Sequence, residues 1–167
     1  RDGDVIGMAV RAIRTERDHH LRFDAAQLLG DRRLRHLGRH AIDAAIRGDV
    51  DRMFLSGGQI DGFGNTNVTA IGPAGRPKVK LGGGGGGCNL SATIGALTLW
   101  TTRHRSGRTL VESCDFITDI GHRTPLGGRA ELGFTGGGPQ WLVTELGVFD
   151  FRDGRARLVQ VFPDVSV

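Results

Sequence analysis

The chain of 167 residues has no tyrosine, two tryptophans, two cysteines, and only two lysines, Lys78 and Lys80, among its 22 basic residues. With aromatics so few and scattered, the stacking platforms that hold single-stranded bases are not evident. Arginine supplies nearly all of the positive charge. The isoelectric point near 10.0 therefore follows largely from the very high pKa of the guanidinium, since the net charge is only +4. A nucleic-acid partner is not favoured on this basis. Cys88 and Cys114 form no CxxC pair, so neither a zinc site nor a disulfide framework is expected, and a reducing cytoplasm is the expected compartment. No apolar run approaches the ~18–20 residues that cross a bilayer. The opening Arg1-Asp2-Gly3-Asp4 does not read as a signal peptide. No membrane association is expected.

Glycine is what the chain has in excess. There are 28 glycines in 167 residues, more than twice an average usage of roughly 7%, yet they lack the triplet period of a collagen rod. The surplus is local: Gly82–Gly87 form an unbroken run and Gly136–Gly138 a shorter one. Runs without Cβ atoms suit loops in which backbone must approach something closely. An apolar fraction of 38% before glycine is counted argues for a packed core. At this length a single domain spanning residues 1–167 is expected.

The coarse pattern is of strands outnumbering helices. Asp4–Val10 and His19–Phe23 read as short strands, whereas Leu34, Leu37, Ala41, Ala44 and Ala45 recur at helical spacing and predict a helix from Asp31 to Gly48. Met53–Leu55, Val68–Ile71, Val79–Leu81, Ala96–Thr102 and Thr109–Glu112 are strand candidates, the second and third of them paired across Gly72–Pro77. The six-glycine loop then opens into a short helix beginning near Cys88, which Asn89 or Ser91 could cap. Trp141–Phe151 and Ala156–Phe162 flank Asp153-Gly154, the strongest hairpin signal in the chain.

Most catalytic signatures fail. Six consecutive glycines satisfy GxGxxG trivially, and Walker A fails because Cys88 and Asn89 stand where Lys and Ser or Thr are needed. No GxSxG elbow occurs. His36 and His40 are four apart but flanked by Arg35 and Arg39, which repel a cation, while His104 and His122 lack HExxH context. No metal site is expected. Cys88 reads as a small packed residue, and Glu112, Asp115 and Asp119 as acceptors for loop amides. What remains is physical: a strand ending in glycines ahead of a helix presents several N–H groups to an anion or an oxyanion.

The order of segments is similar to a known family. Phe54–Asn67, with Gln59-Ile60-Asp61 and Gly64-Asn65-Thr66-Asn67, resembles the corresponding segment in the beta chain of class I CoA-transferases. So do Pro77–Leu81 followed by the glycines and Cys88-Asn89-Leu90, then Leu99–His104, Glu112–Thr118 and Thr144–Phe151. Together they span roughly residues 50 to 162.

This resemblance implies a single-domain α/β fold, a mixed and largely parallel sheet flanked by helices, of the type shared with sugar-phosphate isomerases. It also implies an alpha-type partner subunit and an acyl-CoA thioester as substrate, with no separate cofactor. In the family a glutamate carboxylate carries CoA between two acids as an enzyme thioester. The resemblance places Gly85, Gly86 and Asn89 in the oxyanion and acyl-CoA loop, and Gln59 and Asn65 at the substrate. The closest counterpart to the nucleophile is Asp24, in Leu21-Arg22-Phe23-Asp24-Ala25-Ala26-Gln27. Loss of one methylene moves the carboxylate by more than about 1 Å, a misplacement that can cost ~100-fold in rate. Ala25–Leu29 looks closer to a two-chain hydrolase of the same superfamily that opens the last steroid ring of a CoA thioester. A ring-opening C–C hydrolase subunit and a non-catalytic assembly subunit therefore stand beside the transferase reading. Relative to the family, the part before residue 50 is short and the C-terminal extension is absent.

Overall fold

A computed structural model of the protein describes residues 43–163, apart from Ile46. The strands expected at Asp4–Val10 and His19–Phe23, most of the Asp31–Gly48 helix, Asp24, His36 and His40 lie outside the described residues. Residues 43–45 are helical, where the helix was expected to end.

The main sheet has five strands: β1 (Arg52–Leu55), β6 (Ala96–Thr101), β10 (Pro139–Thr144), β11 (Gly147–Asp150) and β12 (Arg157–Val161), in that spatial order. Pairing is parallel from β1 through β6 to β10 and antiparallel from β10 through β11 to β12. Chain connectivity explains the change of sense. The first three strands are separated by long crossovers, whereas the last three follow one another through tight turns. Smaller ladders lie between the main strands: β2 (Gln59–Asp61) with β3 (Thr66–Asn67) and β7 (Leu110–Val111), β4 (Ala70–Ile71) with β5 (Val79–Lys80), and β8 (Arg123–Thr124) with β9 (Gly127–Gly128). The one complete helix among the described residues, α1 (Gly87–Thr93), connects the glycine run to β6.

Alternation along β6 sets the two faces of the sheet. Leu97 and Leu99 point to the core, where Leu97 packs with Leu90 of α1 and Ile94 just after it, and Leu99 packs with Ile60, Leu142 and Phe151. Each such side chain contributes about 1.5–3 kcal/mol when taken fully out of water. The register Leu99↔Leu142 and Leu55↔Leu99 keeps these residues on one face, and a one-residue slip would turn them all outward. On the opposite face Trp100 and Trp141 are 46% and 39% exposed, and the pairing of Trp141 with Thr98 puts both tryptophans on that same side.

The stretch Trp141–Phe151 is not one strand. The Thr144 hydroxyl accepts from the amides of Leu146 and Gly147, reversing the chain between β10 and β11. Glycine is required there, because a Cβ at residue 147 would lie 2.2 Å from the Gln160 carbonyl oxygen of β12. The hairpin expected at Asp153-Gly154 forms between β11 and β12, with Gly154 at φ 73°. Asp150 and Arg157 close it with a two-point ion pair at 3.2 and 2.8 Å.

Candidate functional site

Three pieces of chain pack against one another next to the turn that leaves the carboxyl end of β1, an end of an open α/β sheet at which ligands bind. They are the turn after β1 with the β2–β3 hairpin, the glycine run ahead of α1, and the segment 114–121. A Cβ on Gly58 would meet the Leu81 side chain at 2.7 Å, so the start of the glycine run lies directly against the turn after β1. Beside it is a cleft of about 250 Å3, with Ser56, Gly57, Thr102 and Arg103 on its walls.

The hairpin is held by its own polar side chains. Asp61 accepts from the amides of Phe63 and Asn65 through one oxygen and from the Asn65 side chain through the other. Asn65 also donates to the Arg123 carbonyl and accepts from the Gly121 amide. The approach of these two segments excludes any side chain at residue 121, whose Cβ would lie 2.2 Å from the Phe63 carbonyl oxygen. Gln59 accepts from Asn67 and from the Asp115 amide and donates to the Asp115 carboxylate. The amide of Gly72 and the side chain of Gln59 hold Asp115 below the usual carboxylate range. Gln59 and Asn65 are thus both buried with their side-chain amides engaged inside the fold.

The glycine run uses its freedom at Gly83, Gly85 and Gly86, with φ of 86°, 53° and 104°. L side chains rarely adopt such angles. The amides of Gly83 and Gly87 bond back to Val68 and Gly84. The amides of Gly85 and Gly86 have no acceptor among the described residues. The cap of α1 is Gly86, with no side-chain hydrogen bond, rather than Asn89 or Ser91. Ser91 bonds the Cys88 carbonyl instead, and Asn89 stands exposed in the first turn.

Beneath this run lies Asp119, 3% exposed. One carboxyl oxygen accepts from the Thr66 hydroxyl, and the other, Oδ1, has no hydrogen-bond partner among the described residues. A Cβ at residue 87 would come within 2.8 Å of that oxygen, so the loop backbone lies directly on the carboxyl group. Burial pushes the Asp119 acid up from its ordinary value, against the opposing Thr66 hydrogen bond. Burying an ionised carboxylate with one oxygen unpaired carries a desolvation cost.

Arg129 braces the same region from the other side. Only 8% exposed, it donates to the carbonyls of Ser91 and Ala92 in α1, Ile120 and Gly121 after Asp119, and Gly136 in the second glycine run. Burial lowers its pKa from the ordinary guanidinium value, which leaves it a cation. An apolar cavity of about 570 Å3 opens beyond α1, between Cys88, Ala92, Ile117, Leu126 and Phe134. His104 and His122 are packed residues, beside Phe149 and Phe151 respectively, with ring nitrogens on Thr144 and the Pro139 carbonyl.

The structure places Gln59 and Asn65 in the β2–β3 hairpin with their side chains engaged inside the fold, and Gly85, Gly86 and Asn89 in the glycine run and the first turn of α1. Asp24 lies outside the described residues. Sequence reasoning gave Asp119 only the bland role of bonding loop amides, and it missed Thr66 and Arg129 altogether. One arginine among so many carries no signal, and a threonine reveals its hydroxyl's partner only once the fold places Asp119 beside it.

Comparison with known proteins bears out the resemblance read from the ordered motifs. The chain is 37% identical over 103 residues to the beta-type chain of 3-oxoadipate CoA-transferase of Pseudomonas knackmussii, covering 62% of this chain and 39% of that one. It is also 37% identical over 116 residues to the beta-type chain of glutaconate CoA-transferase of Acidaminococcus fermentans, covering 68% and 42%. Among solved structures, glutaconate CoA-transferase of A. fermentans superposes with a TM-score of 0.63 at 31% identity, over 80% of this chain and 52% of that one. IpdAB of Rhodococcus jostii RHA1 gives 0.63 at 26%, over 77% and 50%. The decarboxylase AibA/AibB gives 0.58 at 28%, over 77% and 47%. No family model matches the chain. The chain spans about two fifths of the length of the curated relatives it matches.

Proposed function

We infer that this chain carries the glycine-loop part of a CoA-transferase beta chain and acts, with an alpha-type partner, on acyl-CoA thioesters. The observation that carries this reading is the loop itself. Two glycine amides without acceptors among the described residues, Gly85 and Gly86, stand in a loop whose start packs on the turn after β1, in a chain whose sequence follows two CoA-transferase beta chains.

In the proposed reaction an enzyme carboxylate attacks the thioester carbon. The carbonyl oxygen takes up the electron pair and is held by the Gly85 and Gly86 N–H groups, each such donor worth about 3–4 kcal/mol in a preorganised site. Collapse expels the CoA thiolate, which then attacks the enzyme's acyl carbon. The first acid leaves with the enzyme's oxygen, and CoA stays on the enzyme as a thioester until a second carboxylate takes it. Asp24 is the proposed nucleophile, and Asn89 borders the loop. Gln59 and Asn65, engaged within the fold, serve by fixing the hairpin against which the substrate lies. No metal or separate cofactor enters this chemistry.

The test is chemical trapping. The chain with its alpha-type partner, given an acyl-CoA and borohydride, is expected to lose activity through reduction of the enzyme thioester at Asp24, with Asp24→Ala inert. Full turnover by Asp24→Ala would remove Asp24 from the mechanism. A second reading, a C–C hydrolase acting on a cyclic-ketone CoA thioester, is favoured by the aspartate at position 24 and by the decarboxylase among the structural neighbours, which ties this fold to other chemistry. It predicts product without any acceptor acid, and strict dependence on an acceptor would sink it.

A further inference from the structure

We propose that Asp119 is a positioning residue for the glycine loop, a buried carboxyl group on which the backbone of Gly84–Gly87 rests. This deepens the reading above by naming what orients the loop's amides.

Asp119 is fixed by backbone on both sides of its own segment: the Thr66 amide donates to the Asp119 carbonyl, and the Thr118 and Asp119 amides donate to the Thr66 carbonyl. These bonds fix the backbone from which the carboxyl group projects, and the Thr66 hydroxyl holds the carboxyl itself. Thr66 takes up one oxygen, and the other is buried, unpaired and directed at the loop, close to the positions that Cβ atoms of residues 84 and 87 would occupy. Glycine at 87 is thus explained by the carboxyl below it, since the φ of that residue is not in the left-handed region.

Among the described residues, few other titratable groups face this acid. Cys88 follows Gly87 in α1 and is exposed, while Arg129 is spent on the carbonyls of Ile120, Gly121 and α1. Asp61 is reached only through Asn65, and Asp115 turns toward Gln59 and Gly72. Cys114, pushed up to about 12 by burial, stays a thiol. A negative charge on Asp119 would lie under the amides proposed to hold an oxyanion and would oppose it, so the loop works with Asp119 protonated. Burial favours that form and the Thr66 bond resists it.

The experiment follows pH with the loop and the reaction read separately. Amide exchange of residues 84–88, corrected for intrinsic rates, and acyl-CoA exchange are measured from about pH 5 to about pH 9, spanning the region above the ordinary carboxylate range. The complex with the alpha-type partner is used, in a Cys88→Ser background that removes the nearby thiol. With Asp119 present, protection of the loop and kcat are expected to fall together on the alkaline side through one ionisation. Asp119→Asn, of the same shape and always neutral, is expected to keep kcat at low pH within about threefold and to abolish the alkaline fall. Thr66→Val removes the bond that favours the ionised form and is expected to move the fall to higher pH. An alkaline fall unchanged in Asp119→Asn, or loop protection independent of pH with Asp119 present, overturns the proposal. Should the complex show no CoA transfer at all, the functional reading fails, and the exchange data alone decide the role of Asp119. If Asp119→Asn does not fold, the direction of the Thr66→Val shift decides it.

Discussion

Replacing Arg129 tests whether the region around α1 is held from beneath by one cation. Its guanidinium serves five carbonyls on three stretches of chain. In Arg129→Met the stem's volume is nearly kept, but the donors are lost. The Ala92 carbonyl retains the Gly136 amide. The carbonyls of Ser91, Ile120, Gly121 and Gly136 then have no other donor among the described residues. A buried acceptor left unmet costs about 1–3 kcal/mol, and at the lower figure, allowing for water entering, the four together come to about 4 kcal/mol. For a chain of this size, that lowers the melting temperature by about 8–16 °C. Arg129→Lys keeps the charge, but its single nitrogen reaches at most three acceptors and cannot span all three stretches, so it is expected to recover only part of the loss. Urea unfolding with each variant, read by far-UV circular dichroism, supplies the numbers. A loss below about 1 kcal/mol for Arg129→Met would refute the reasoning, showing that water satisfies these carbonyls as well as arginine does.

Two further expectations follow from named groups. Glu145 accepts the amides of His104 and Arg105; burial pushes its acid up, but these bonds hold it below the ordinary glutamate range. A depressed carboxylate contributes stability above its unfolded pKa and loses it as the pH falls through the folded one. The stability difference between the unaltered protein and Glu145→Gln is therefore expected to be constant near neutrality and to vanish on acidification past the normal glutamate range; a difference independent of pH would contradict this. Of the two cysteines, exposed Cys88 is expected to take up iodoacetamide at about pH 8 while Cys114, raised to about 12 by burial, is not. Mass spectrometry of the labelled peptides reads the result, and equal labelling would argue against the burial of Cys114.

The fold was legible where local rules act alone. The alternation of Leu97, Leu99 and Trp100 announced a strand, Asp153-Gly154 announced a hairpin, and glycines before Cys88 announced a loop and short helix. The break at Glu145-Leu146 was hidden because both flanks are apolar and the turn depends on a threonine hydroxyl. The cap of α1 was misassigned because polar side chains nearby suggested a conventional cap, whereas backbone with φ of 104° at Gly86 makes it unnecessary. At the site, the order of segments identified the loop. Asp119 and Arg129 could not be read from the chain, since their importance lies in what burial and long-range contacts do to them.

The tryptophans have a practical consequence. With no tyrosine in the chain, emission excited on the long-wavelength edge of indole absorption comes from Trp100 and Trp141, and both project from the sheet face opposite the leucine core. Trp100 also borders the cleft after β1, whereas Trp141 does not. The chain therefore carries two built-in optical reporters on one surface. A ligand filling the cleft changes the light from one of them, and a protein covering the whole face changes both.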